Sequence, residues 1–248
     1  MQLKQLSDFC DEYLKVDEFN DYCPNGLQVE ANAEVENIVC GVTASQALIE
    51  AAIDQGADTL IVHHGYFWKG ETQSLSGVKG KRIRSLIKND INLLAYHLPL
   101  DVHPEVGNNV QLARVLDWDV TDNFGEQGLV FEGKPSAEQS LAEISQHIET
   151  RLDTRTLAIS AGDHAIKRIA WCTGAAQGFI EAAAERGVDA FVSGEISEPT
   201  FHLAREMGIH YIAAGHHATE RYGVQALAKV IADRFGIKQQ FIDIPNPV

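Results

Sequence analysis

With 248 residues, a 45% apolar composition and a formal charge of −15, the chain can bury the core of one large globular domain or of two ordinary ones. The acidic balance argues against duplex DNA or RNA as a partner, because phosphate backbones are held by clustered Lys and Arg; a single nucleotide needs only a local pocket. No apolar run approaches the length of a membrane span, and "MQLKQLSDFCDEYL" lacks the apolar centre of a signal peptide, so a cytoplasmic protein with no membrane partner is expected.

Cys10, Cys23, Cys40 and Cys172 have no CxxC spacing, which points to buried thiols in a reducing compartment rather than a zinc knuckle or disulfides. "YCPNGLQV" (22–29) carries an Asn25-Gly26 turn signal and reads as a tight loop. From residue 38, "IVCGVTASQALIEAAIDQGADTLIVHH" reads as a strand, a small-residue turn, an amphipathic helix closed by Gly56, and a second apolar strand. That strand runs into His63 and His64. Successive strand residues face opposite ways, so two adjacent imidazoles share a target only where the strand stops, as Gly65 permits.

"YFWKG" follows, placing Tyr66, Phe67 and Trp68 beside the histidines. They read as packing aromatics, with base stacking the sharper alternative. Lys69, Lys79, Lys81, Arg82 and Arg84 form a basic cluster running into a helix, read as a solvated helix face rather than a phosphate site. The strand "INLLAY" then leads to "HLPLD", with His97 and Asp101 four residues apart. A domain boundary is expected near residue 123, giving units 1–123 and 124–248. Beyond it come a strand in "GLVFEG" and a helix in "SAEQSLAEISQHIETRL", with Ser136 as N-cap and Glu138 close behind.

The chain then repeats itself. "IAWCTGAAQGFIEAAAERGVDAFVSGE" (169–195) lies over 38–64 at one constant offset, repeating the residues at Ile38, Ala44, Gln46, Ile49, Glu50, Ala51, Ala52, Gly56 and Asp58. Glu195 falls where the first copy has His64, a remnant of duplication or a support for another ligand. "AAGHHATE" (213–220) matches "AYHLPLD", setting His216 against His97 and Glu220 against Asp101. The alternation implies βαβ units, parallel sheets covered by helices, and two related α/β halves.

His63, His64, His97 and His216 all fall at the carboxyl ends of expected strands, the edge where open parallel sheets bind ligands. On a helix, positions four apart share a face, so His216 and Glu220 can grip one ion. Imidazole with carboxylate suits zinc, iron or manganese. Even three of these histidines with the two acids, Asp101 and Glu220, exceed the needs of one four-coordinate zinc, so two ions roughly 3.5–4 Å apart are the sharper expectation. A single strand-end histidine is more often a hydrogen-bonded structural residue; the joint placement carries the metal reading. His217, His103 and His202 are proton carriers or merely exposed.

The motifs "NGLQV", "GVTASQALIEAA", "HHGYFWKG", "HLPLDVHPEVGNN", "SGE", "GHHATE" and the ending "FIDIPNP" together resemble the GTP cyclohydrolase 1 type 2 homologue family, also called Nif-three-like, and within it the short bacterial YbgI-like members. The resemblance runs collinearly over essentially the whole chain. It implies two similar α/β/α lobes, a metal cleft between them holding two divalent ions, and a toroidal homohexamer. By motif the ligands are His63, His64, Asp101, His216 and Glu220, with His97 close by. Many members carry a histidine where this chain has Pro199, so no role follows for that position.

The activity implied is metal-dependent hydrolysis of a small nucleotide-like substrate, with GTP ring opening suggested by the family label. An activated hydroxide attacks purine C8, and His97, then His217, are the expected proton carriers. The rival reading is a ring protein that stores or delivers metal without turnover.

Overall fold

A computed structural model describes all 248 residues. The chain begins with α1 (Leu3–Tyr13), β1 (Gly26–Val29), β2 (Asn37–Thr43), α2 (Gln46–Asp54), β3 (Thr59–His64), α3 (Gly77–Lys88), β4 (Asn92–Ala95) and α4 (Leu98–Val102). Then come α5 (Asn108–Val115), β5 (Trp118–Phe124), β6 (Val130–Pro135), α6 (Leu141–Leu152), β7 (Leu157–Ile159), β8 (Ile169–Cys172), α7 (Ile180–Glu185), β9 (Ala190–Ser193), α8 (Glu198–Met207), β10 (His210–Ala213) and α9 (His216–Thr219). A long α10 (Arg221–Phe235) and a short β11 (Lys238–Phe241) complete it. The fold is mixed α/β with two sheets.

Two compact units emerge: residues 1–106 with 223–245, and residues 107–222 with 246–248. The expected division at 123 falls inside β5, which pairs along its length with β6. The chain therefore leaves the first unit earlier, and most of α10 and all of β11 return to it. No local signal announces that return, because β11 pairs with β2 across almost the whole sequence.

In the first unit the strand order is β1-β4-β3-β2-β11. All neighbours are parallel except the edge strand β1, which runs antiparallel to β4. Strand alternation sorts the core into two faces. Ile38, Cys40, Ile61, Leu94 and Tyr96 pack with Leu3, Leu6 and Cys10 of α1 and with Val224, Leu227 and Ile231 of α10. Val39, Leu60, Val62, Leu93 and Ala95 pack the other way, with Leu48, Ile49 and Ala52 of α2 and Ile83 and Leu86 of α3. Buried on both faces, these strands read as near-continuous apolar runs. Ser45 caps α2, its hydroxyl accepting from Leu48 N at 3.2 Å.

In the second unit the order is β5-β6-β8-β9-β10-β7. Only the β8-β9-β10 centre is parallel; β5, β6 and β7 join antiparallel. The expectation of mostly parallel sheets thus holds for the first unit and fails here, because a β5–β6 hairpin and the short β7 flank the βαβ centre. Ile169, Trp171, Val192 and Ile212 pack with Ile144, Ile148 and Leu152 of α6, with Leu112 of α5 and with Leu116 just past its end. The α6 N-cap is Ser140, not Ser136. Its hydroxyl accepts from Glu143 N while Glu143 reaches back to Ser140 N, a capping box. Ser136 lies in the bend that follows β6, short of the helix start.

The two βαβ segments share a fastening. Asp58 Oδ2 accepts from Glu36 N and Asn37 N at 2.7 and 2.8 Å. Asp189 Oδ2 accepts from Lys167 N and Arg168 N, both at 2.8 Å. Each carboxylate ties the start of one parallel strand to the start of its neighbour. All four cysteines are buried thiols outside any disulfide, as their spacing predicted, and no helix is long and apolar enough to cross a membrane.

Candidate metal centre

In each unit the expected metal-ligating residues gather at the carboxyl edge of the parallel strands. In the first, β3 ends on His63 and His64, and β4 delivers the chain to His97 and α4. His63, His64 and His97 each offer a ring nitrogen within 4.8 Å of the others. Their ring centroids lie 4.5 Å apart for His63–His64 and 5.1 Å for His63–His97. Asp101, one turn into α4 and buried, sets Oδ1 3.5 Å from His63 Nε2.

Each ring is oriented through its other nitrogen. His63 is fully buried, and its Nδ1 lies 2.8 Å from the Tyr96 carbonyl oxygen. A carbonyl only accepts, so Nδ1 carries the proton and the Nε2 lone pair faces Asp101. His64 Nδ1 pairs with Thr43 Oγ1 at 3.2 Å. His97 Nδ1 lies 2.7 Å from Asp21 Oδ1. Nδ1 bonded to a protein acceptor, with Nε2 presented elsewhere, is how proteins hold metal-ligating histidines.

The segment 21–28, expected to be only a tight loop, grips both strand ends. Asp21 Oδ2 accepts from Leu98 N at 2.9 Å, and Asn25 Oδ1 accepts from His97 N at 2.6 Å. This loop therefore caps α4, whose own N-cap side chain makes no cap bond. Gln28 Oε1 accepts from Tyr66 N at 2.7 Å while its Nε2 donates to Tyr66 O at 3.1 Å. That pins the turn after the histidines, where Phe67 holds φ at 66°, a conformation an L side chain adopts only under tertiary constraint. Sequence reading missed Asp21, Asn25 and Gln28 as supports. The available signal was the cluster of amide and acid side chains around the Asn25-Gly26 turn.

In the second unit β10 leads through Gly215 into α9, which begins at His216. His216 Nε2 lies 3.1 Å from Glu220 Oε2, and its Nδ1 lies 2.7 Å from Glu195 Oε1. Glu195 is thus the carboxylate that orients His216, the supporting role the repeat had left open. In the ion-free protein burial works against a charged ring at His216, but Glu220 and then Glu195 outweigh it and lift its pKa to about 9.

Gly174, at the turn after β8, makes room for this pair. Its φ is +69°, and a Cβ there would fall 2.2 Å from Glu220 Oε1 and 3.2 Å from His216 Nε2. Its carbonyl also accepts from Gly194 N and Glu195 N at 2.8 and 3.2 Å, and its N–H donates to Thr219 Oγ1 at 3.2 Å. One turn thereby ties the ends of β8 and β9 to α9.

The remaining expectations sort plainly. His217 is buried in α9, its backbone N–H donating to Val248 O at 2.9 Å. His103 is structural, with Nε2 on Tyr13 O and Nδ1 accepting from Glu105 N and Val106 N. His202 is exposed and pairs with Glu198. Tyr66 packs, its hydroxyl donating to Ala44 O at 2.7 Å. Trp68 is half-buried, its ring 5.0 Å from His97 and 6.0 Å from His64. Of the basic cluster, Lys81 and Arg84 are exposed along α3, and Lys79 turns back onto Glu71 and the Thr72 carbonyl. The solvated helix face expected holds for Lys81 and Arg84 and not for Lys79 or Arg82, whose Nε is buried.

The profile described as Duf34/NIF3 (NGG1p interacting factor 3) matches residues 1–247. The chain is similar to a protein of Pseudomonas aeruginosa called "GTP cyclohydrolase 1 type 2 homolog", 53% identical over 99% of this chain and 98% of that one. It is also similar to a protein of the same description from Escherichia coli strain K12, 48% identical over the full length of both. Among solved structures, "Structural genomics, protein ybgI, unknown function" superposes with a TM-score of 0.97 at 48% identity, covering both chains entirely. TTHA1606 from Thermus thermophilus superposes at 0.91 and 33% identity, again over both whole chains.

Proposed function

We propose, for a chain that belongs to the Duf34/NIF3 family, a metal-dependent hydrolase acting on a small nucleotide-like substrate, with His63, His64, Asp101, His216 and Glu220 holding two divalent ions. The supporting observation is the orientation of the histidines. His63 and His216 each give Nδ1 to an acceptor of the protein, a carbonyl in one case and a carboxylate in the other, and each sets Nε2 against a carboxylate expected to be a ligand. Imidazole nitrogens with carboxylate oxygens suit zinc, iron or manganese and disfavour calcium. Divalent ions held there would acidify a coordinated water enough to supply hydroxide near neutral pH.

The chain's own residues supply the rest. Asp101 and Glu220, both nearly buried, provide the negative charge that offsets the ions. Tyr96 O and Glu195 fix the rings. His97, held by Asp21 and Asn25 beside His63 and His64, is placed to hold or pass a proton through Nε2; His217 is the second choice. The name shared by the curated relatives supports GTP as the substrate to test first. The reading extends to a homohexamer and to descent of the two halves from one βαβ ancestor, supported by the matched roles of Asp58 and Asp189.

The test is metal content of anaerobically purified protein, wild type beside Glu220→Ala, with each assayed on GTP for formate. About two ions per chain, lost with formate release in the variant, is the expected result. Two ions without formate from any purine nucleotide would sink the hydrolase reading and favour a metal-storage or metal-delivery protein, which the partly exposed His216 ring would suit.

A further inference from the structure

Asp21 is neither an expected ligand nor an expected proton carrier, yet its side chain is only 3% exposed and all its hydrogen bonds run toward His97 or its surroundings. Oδ1 accepts from His97 Nδ1 at 2.7 Å and from Tyr22 N at 2.6 Å. Oδ2 accepts from Leu98 N at 2.9 Å and from Asn25 Nδ2 at 2.8 Å. Asn25 cannot turn its amide round, because its Oδ1 already accepts from His97 N. The carboxylate therefore faces fixed donors on both oxygens. Burial alone would raise its pKa, but the hydrogen bonds from His97, then Asn25 and Tyr22, outweigh it and hold the acid below the usual carboxylate range. Across the His97 ring lie His63 and His64, with the Trp68 edge alongside.

We propose that Asp21 is a positioning residue that fixes the tautomer of His97: by accepting the hydrogen bond from Nδ1–H it keeps the proton there and leaves the lone pair on Nε2, so the ring meets the His63–His64 pair and any substrate there as an acceptor. An imidazole in water prefers its proton on Nε2, so the state imposed here is the reverse of the one His97 would adopt alone. Which nitrogen carries the proton is set by the partner of the other. The tautomer stands on this geometry; its service in proton transfer rests on the hydrolase reading above.

The two halves are separable by experiment. Asp21→Asn puts an amide NH2 among the same donors. Leu98 N–H and Tyr22 N–H are backbone and cannot become acceptors, whereas His97 can, by moving its proton to Nε2; an oxygen facing Leu98 and Asn25 then leaves only Tyr22 opposed, whereas the reverse orientation opposes both Leu98 and Asn25. The amide should therefore point its oxygen at Leu98 and Asn25, and its NH2 at His97 Nδ1. Long-range proton–nitrogen correlation spectra of the full chain labelled with nitrogen-15 histidine, with His97→Gln to assign the signal, read this directly. Wild type should show His97 protonated on Nδ1, and Asp21→Asn should show it protonated on Nε2. A wild-type ring protonated on Nε2, or one unchanged in the variant, overturns the proposal; the wild-type spectrum decides alone if the variant fails to fold. This readout needs neither metal nor turnover, so it survives failure of the hydrolase reading. Where GTP is turned over, Asp21→Asn should lower kcat by at least ~10²-fold with KM unchanged. An inverted tautomer with full kcat would show that the tautomer has no part in the reaction and would overturn the proposed role.

Discussion

Replacing Gly174 by alanine tests whether the turn after β8 is shaped around Glu220. The substitution has two costs that a matched control separates. At φ +69° an L side chain carries a left-handed penalty of about 1–2 kcal/mol. Gly208, the C-cap of α8 in the same unit, has φ +70° and nothing within 4 Å of a new Cβ, so Gly208→Ala carries that penalty alone. At Gly174 the Cβ would also sit 2.2 Å from Glu220 Oε1, against the 3.4 Å at which ordinary contact begins. The carboxylate must move by about that deficit, breaking its 3.1 Å approach to His216. In a chain of this size each kcal/mol shifts Tm by about 2–4 °C, so both variants should melt lower. Zinc affinity, measured by competition with a chromophoric chelator, should stay at the wild-type value in Gly208→Ala. It should fall by at least ~10-fold in Gly174→Ala, the scale seen when even a supporting residue of a metal site is disturbed. Equal zinc affinity in the two variants would refute the link between this turn and the site.

Two further outcomes follow from the second unit. Buried His210 accepts from Ala161 N on Nδ1 and places Nε2 on His164 O at 3.0 Å, an arrangement only the neutral ring can make; burial, the largest cause, lowers its pKa from 6.5. The unfolded chain then binds the extra proton first, so this residue's stabilisation is complete above about pH 6.5 and is lost as pH falls below it. Thermal melts between pH 7 and 5 should show His210→Gln losing less stability than wild type over that window; parallel curves would contradict it, since His103, shifted the same way, is present in both. Trp171 is fully buried, packs against Trp118 and Phe131, and donates from Nε1 to Asn109 O at 3.0 Å. Trp171→Ala should cost about 3–5 kcal/mol in urea unfolding; a loss below ~1 kcal/mol would show that the core of this unit lies elsewhere.

The sequence by itself determined the central strands of each sheet, several of the helices and the edge at which the candidate ligands sit. Apolar runs such as "TLIVHH" and "IHYIAA" are long enough for a strand buried on both faces, and a parallel strand presents its carboxyl end beside that of its neighbour. The residues at those ends were therefore legible: His63 with His64, His97 with Asp101, and His216 with Glu220. So was the repeat, whose Asp58 and Asp189 perform the same fastening in each sheet. Only the tertiary structure decided what orients those rings. Tyr96 reaches His63 through a backbone carbonyl, which has no sequence signature. Asp21 and Asn25 meet His97 from more than seventy positions away, and Glu195 meets His216 from the end of another strand. It decided as well that α10 and β11 rejoin the first unit, and that antiparallel strands flank the second sheet. Periodicity reports which face of an element is buried; it does not report against which distant segment, and hydrogen bonds between segments far apart in the chain depend on that second fact.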